Sequence, residues 1–119
     1  MKYDLEDRLI KFSIVIIKMT SKMKTGFTSE HLSKQIIKSS TSSALNYGEA
    51  QSGESHRDFI HKMKICLKEL RETFINLKII EGAELINNLD LIKNIKQENN
   101  ELISIFVTSI RTSNRKNRQ

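Results

Sequence analysis

The chain has 119 residues, 38% of them apolar and 29% charged, with no proline, no tryptophan and a formal net charge of +6. That length suits one domain around one modest core, and the apolar fraction is that of an ordinary globular protein. The single cysteine, Cys66, excludes an internal disulfide and a Cys-cluster metal site, and it agrees with a reducing compartment.

The opening "MKYDLEDRLIKFSIVII" sets acidic residues ahead of an apolar run that Lys11 and Lys18 interrupt. This is not the charge order of a signal peptide. No uncharged stretch approaches the ~18 residues that a membrane span requires, so the expectation is a soluble, cytoplasmic protein. Leu5, Leu9, Phe12, Ile16, Met19 and Met23 recur at alternating spacings of four and three, the seam of a helix packed in a bundle. Ile10, Ile14 and Ile17 form a second stripe beside it. One stripe per helix is enough for a monomeric bundle. The surplus predicts a homo-oligomer that buries part of this helix. Gly26 is expected to stop it.

A second helix begins near "TSEHL", with Thr28 or Ser29 as cap and Glu30 at the positive end of the helix dipole. Leu32, Ile36, Ser39 or Ser40, Ser43, Tyr47 and Ala50 continue at helical spacing. The serine-rich stretch therefore stays in phase with the helix and is no linker. Its small side chains let another helix approach closely, and its hydroxyls can bond back to helix carbonyls. The break falls at Gly53. Ser55 with Asp58 then reads as a capping box, followed by Phe59, Met63, Cys66, Leu70, Thr73 and Leu77, to an end near Gly82. A last helix spans about 88–112 on Leu89, Ile92, Ile95, Asn99, Leu102, Phe106 and Ile110, with Asn99 as a polar register residue in the seam. The fold class is all-α: an up-down-up-down four-helix bundle over residues 1–112, with residues 113–119 as a basic disordered tail.

The residues offer little catalytic chemistry. A bridged di-metal site in such a bundle needs paired Glu-x-x-His motifs. The nearest match is one Asp58-x-x-His61, and Asp58 is better explained as a capping residue, so neither metal nor cofactor is expected. Cys66 lies on the seam between Met63 and Leu70 and reads as a small core residue. No glycine-rich phosphate loop and no G-x-S-x-G motif occurs, and no enzyme is expected. Asn46 and Glu49 share a face of the second helix, and Glu72 lies next to the third helix's seam. Polar groups so near an apolar seam must be paired or hydrated, which reads as a structural polar network. Charge favours the two ends of the chain. The first forty residues hold eight basic and four acidic residues, and "IRTSNRKNRQ" holds no acid at all. Lys18, Lys22, Lys24, Arg111, Arg115, Lys116 and Arg118 are accordingly the candidate contacts for a polyanion, RNA or DNA backbone. The alternative is a protein-interaction scaffold whose basic surface is only solvated.

Two segments carry a family resemblance. "LSKQIIKSSTSSALNYGEAQ" supplies Gln35, Ser39, Ser43, Asn46 and Glu49, and "RDFIHKMKICLKELRETF" supplies Phe59, Cys66 and Glu72. The pattern resembles the four-helix bundle family encoded in intervening sequences of bacterial 23S rRNA genes. Gly48 and Ala50 exchange the family's usual alanine and glycine, and Cys66 stands for an alanine. The resemblance implies assembly into a homopentamer. It also implies kinship with accessory proteins of diversity-generating retroelements, which contact nucleic acid and a reverse transcriptase. It implies no enzymatic activity.

Overall fold

The computed structural model describes residues 4–53 and 55–118. Four helices follow in order, α1 (Leu5–Thr20), α2 (Phe27–Gln51), α3 (His56–Gly82) and α4 (Leu89–Arg118), with no strand among the described residues. Each helix packs on its sequence neighbours, and α4 closes the ring on α1. This is the up-down-up-down bundle, 52 × 25 × 23 Å. The pairing of α2 with α3 is the most extensive and that of α1 with α4 the sparsest.

The heptad residues make the core. Leu9, Phe12, Ile16 and Met19 of α1, Leu32 and Ile36 of α2, Met63, Cys66, Leu70 and Leu77 of α3, and Ile92, Leu102 and Phe106 of α4 are all buried. Ser39, Ser40 and Ser43 are buried with them, on the stripe the helical period assigns. Ser13 of α1 donates to the Ser40 carbonyl across the helix pair (3.1 Å), which places backbone and side chain in direct contact. Only residues this small permit that approach between helices. Leu89, expected on the α4 seam, is instead exposed as the first residue of its helix.

The helix ends depart from the sequence reading in three places. α1 stops at Thr20, where the Thr20 and Ser21 hydroxyls donate to the Ile17 and Lys18 carbonyls. Gly26 does not end α1; it precedes α2, in place of a Thr28 or Ser29 cap, with φ +153°, a conformation that side chains with a Cβ resist. At the other turn, Gly82 is helical and Glu84 takes the left-handed conformation, φ 57°. The Leu85 amide returns to the Ile80 carbonyl (3.1 Å), closing a Schellman-type end. Ser55 does cap α3, accepting from the Asp58 amide at 3.0 Å, and Asn88 caps α4 through the Leu91 amide at 3.0 Å. Finally, α4 continues through residues 113–118. The segment read as a disordered tail is helical as far as Arg118, because nothing in it breaks a helix and its arginines favour the C-terminal dipole end. Gln119 lies outside the described residues.

Candidate nucleic-acid interface

The bundle's antiparallel order decides where the candidate cations stand. Lys18 lies in the last turn of α1, with Lys22 and Lys24 in the turn after it, all three exposed. The Lys24 amide donates to the Leu85 carbonyl of the α3–α4 turn (2.8 Å), so this set belongs to that end of the molecule. Arg111, Arg115 and Lys116 are exposed on the last turns of α4, and Arg118 is its final residue. Because α4 runs antiparallel to α1, its C-terminus is at the opposite end of the 52 Å body. The two basic sets are not brought together.

Nor do Asn46, Glu49 and Glu72 form one network. The Asn46 amide donates to the Ser42 carbonyl of its own helix (2.9 Å). Glu49 accepts from Lys62 of α3 (2.7 Å). Glu72 is exposed one turn from Glu69 on α3. Burial, followed by the neighbouring Glu72 carboxylate, pushes the Glu69 carboxyl above its ordinary value. Glu69 and Glu72 line a groove of about 520 Å³ between α2 and α3, together with Gln35, Lys38, Lys68 and Asn76. The groove is open and mixed in charge. Among the described residues no group of three or more His, Cys, Asp and Glu side chains could hold a metal. Cys66 is wholly buried, and burial pushes its thiol up to about 12, the opposite of an activated nucleophile.

Pairing separates engaged cations from free-standing ones. Arg8 forks onto Glu98 (2.6 Å) and reaches Glu101 (2.9 Å), tying α1 to α4. Lys34 pairs with Glu30, Lys62 with Glu49 and Lys96 with Glu81. Among the residues whose side chains are described, the remaining lysines and arginines have no carboxylate within ion-pair distance. The largest group of these is not at the chain ends; it runs along the exposed side of α3, from Arg57 to Lys78. Sequence reasoning missed it, although its seven-residue recurrence was visible.

Two apolar features also reach the surface. Ile10, Ile14 and Ile17 of α1 are 43%, 45% and 43% exposed, so the second stripe of that helix is not covered within the chain. A groove of about 320 Å³ between α1 and α4 is lined by Phe12, Val15, Leu91 and Ile95. No helix among the described residues is long and apolar enough to cross a membrane.

Residues 2–108 match the protein family described as 23S rRNA-intervening sequence protein. A protein of unknown function from the S23 ribosomal protein family of Bacteroides thetaiotaomicron has a similar crystal structure. Its TM-score is 0.78 at 28% identity, over 90% of this chain and 98% of that one. No curated protein matches the chain.

Proposed function

Because the chain belongs to the 23S rRNA-intervening sequence protein family, we propose that it acts without catalysis, as a self-associating bundle that binds the backbone of RNA or DNA. The observation that carries this reading is the surplus of exposed cations with no carboxylate partner on a chain of net charge +6. Only five phenylalanines and two tyrosines occur, and Phe12 and Phe106 are core. Phe27 is exposed and stacked on His31, but it is a single such ring against many unpaired cations, so phosphate neutralisation is a better mode of contact than base stacking. Binding of a labelled RNA or DNA oligonucleotide should fall steeply with salt and depend little on sequence. Tight binding that is indifferent to salt would overturn the reading.

Self-association is supported by the open face of Ile10, Ile14 and Ile17, since soluble monomers generally avoid such patches. Five copies is the number implied by the family resemblance. Sedimentation at micromolar concentration tests it: a single species near the chain mass of 13.8 kDa would sink the assembly. The same apolar face favours a second reading, a scaffold whose partner is another protein. Co-purification with and without nuclease separates the two. A partner such as a reverse transcriptase would survive nuclease treatment, and one bridged by nucleic acid would not.

A further inference from the structure

We propose that the contact surface is the outer face of α3 and that its partner is the phosphate backbone of a nucleic-acid duplex; this rests on the nucleic-acid reading above. Arg57, Lys64, Arg71 and Lys78 recur every seven residues, and all four are exposed. His61 and Lys68 fall between them at helical spacing, also exposed. No acid interrupts the row. The acids of α3 flank it and none shares the heptad register of Arg57, Lys64, Arg71 and Lys78: Glu69 and Glu72 line the groove toward α2 that Lys68 also lines, Glu81 pairs with Lys96 of α4, and Asp58 sits at the capped N-terminus. Among the described residues none of the four heptad cations has an ion-pair partner, although Lys62, Lys96 and Arg8 nearby all do.

Internal stability does not explain this arrangement. Like charges three and four apart on a helix repel, as Lys64 and Lys68, then Lys68 and Arg71, do here, and of the three only Lys68 has an acid at that spacing, Glu72. A solvated helix face gains more from alternating signs. A row of one sign becomes favourable when an external polyanion meets it.

The dimensions suit a duplex. At 1.5 Å per residue the heptad cations are spaced about 10 Å apart and the row is about 32 Å long. One turn of duplex is ~34 Å. The row stands on the helix with the most extensive packing partner, so it is rigid, and a straight rigid row matches a stiff partner better than a flexible one. Its one aromatic neighbour, Phe74, is half-buried with the Lys78 ammonium 5.5 Å from the ring centre. Half-buried and approached by Lys78, that ring is a poor platform for a base to stack on, which disfavours single strands along this row. The register fixes which end of the row lies level with the last turns of α4. Asn99 of α4 bonds the Leu70 carbonyl of α3 (3.0 Å), and the antiparallel count from that pair sets Arg111 level with Asp58, at the Arg57 end of the row. Arg111 and Arg115 thus stand at the Arg57 end of the bundle, whereas Lys18, Lys22 and Lys24 belong to the opposite end.

The test is fluorescence anisotropy of a labelled 24-base-pair duplex, RNA or DNA, and of its single strand, across salt concentrations. Native protein should prefer the duplex. The pair Lys64→Ala and Arg71→Ala should weaken duplex binding at least tenfold and lower the log–log salt slope by about 2, one per lost phosphate contact. Lys64→Gln and Arg71→Gln should do the same, and thermal melting checks that both pairs remain folded. The triple change Lys18→Ala, Lys22→Ala and Lys24→Ala should leave duplex affinity within about threefold of native, less than the loss of one phosphate contact carries. If native protein binds but the α3 variants bind equally well, or if single strand is preferred, the α3 assignment is overturned while the functional reading stands. If native protein binds neither form, the functional reading itself is overturned.

Discussion

Ser39 of α2 and Thr73 of α3 meet hydroxyl to hydroxyl at 2.6 Å, both buried, at the most extensively packed helix pair of the bundle. Each also reaches a carbonyl of its own helix, Ile36 for Ser39 and Glu69 for Thr73, so two polar groups enter the core without being orphaned. Ser39→Ala and Thr73→Val should each cost about 1 kcal/mol. The double variant should cost less than the sum, because removing both partners leaves no stranded hydroxyl. A urea-denaturation cycle measures this; strict additivity would show that the pair is uncoupled. Ser43→Leu, by contrast, forces bulk into a wholly buried position and should cost about 1–3 kcal/mol or more.

The Asn99 side chain is fully buried, and its Oδ1 meets no donor among the described residues, although Nδ2 is bonded to the Leu70 carbonyl. Replacing it by leucine removes a desolvated acceptor. Asn99→Leu should leave stability within about 1 kcal/mol of native or raise it, while Asn99→Asp should cost about 3 kcal/mol or more by burying a charge. Chemical denaturation of both variants checks the order, which must not reverse.

Glu84 holds a left-handed backbone that costs a residue with a Cβ about 1–2 kcal/mol. Glu84→Gly should therefore stabilise the protein by about 1 kcal/mol, read as a rise in Tm. Gly26→Ala should do the reverse, since φ +153° is strained for alanine even though its Cβ would meet no atom. A lower Tm for Glu84→Gly would refute the argument.

The Cys66 thiol ionises near 12 in the fold, chiefly because burial disfavours the thiolate. A group raised in the folded state contributes stability that is complete below its unfolded value and is lost as pH rises through the folded one. The Cys66 contribution should therefore be flat up to about pH 8.5 and decline above it toward 12. Native protein should react with a thiol reagent at pH 8 only as fast as it unfolds. Rapid stoichiometric labelling would contradict the burial.

Glu69 behaves in the same sense in the acid range. Its carboxyl is raised by burial and by Glu72, so its contribution is complete below the ordinary glutamate value and is lost as pH rises through the folded one. Glu69→Gln should stabilise the protein at neutral pH more than at pH 4. Equal effects at both would show that the groove does not perturb this group.

Sequence alone determined which residues pack. Leu9, Phe12 and Ile16, or Cys66, Leu70 and Leu77, can share one helical stripe only if that stripe is covered, and the serine-rich run keeps the same period. Four helices, their order and the buried Ser39, Ser40 and Ser43 follow from that local periodicity. Tertiary structure decided what depends on distances between helices. It separated Lys18, Lys22 and Lys24 from Arg111 and Arg115 by the length of the bundle, and it parted Asn46, Glu49 and Glu72, because antiparallel register rather than chain order sets who meets whom. It also showed which cations carboxylates had already engaged. Arg8, Lys62 and Lys96 look no different in sequence from Lys64 or Lys78, and only the approach of Glu98, Glu49 and Glu81 across helix boundaries distinguishes them from the α3 row, the largest unpaired group. The turns were settled the same way: Gly26, Gly82 and Glu84 took their roles from where neighbouring helices had to connect, a global constraint that overrides local glycine preference.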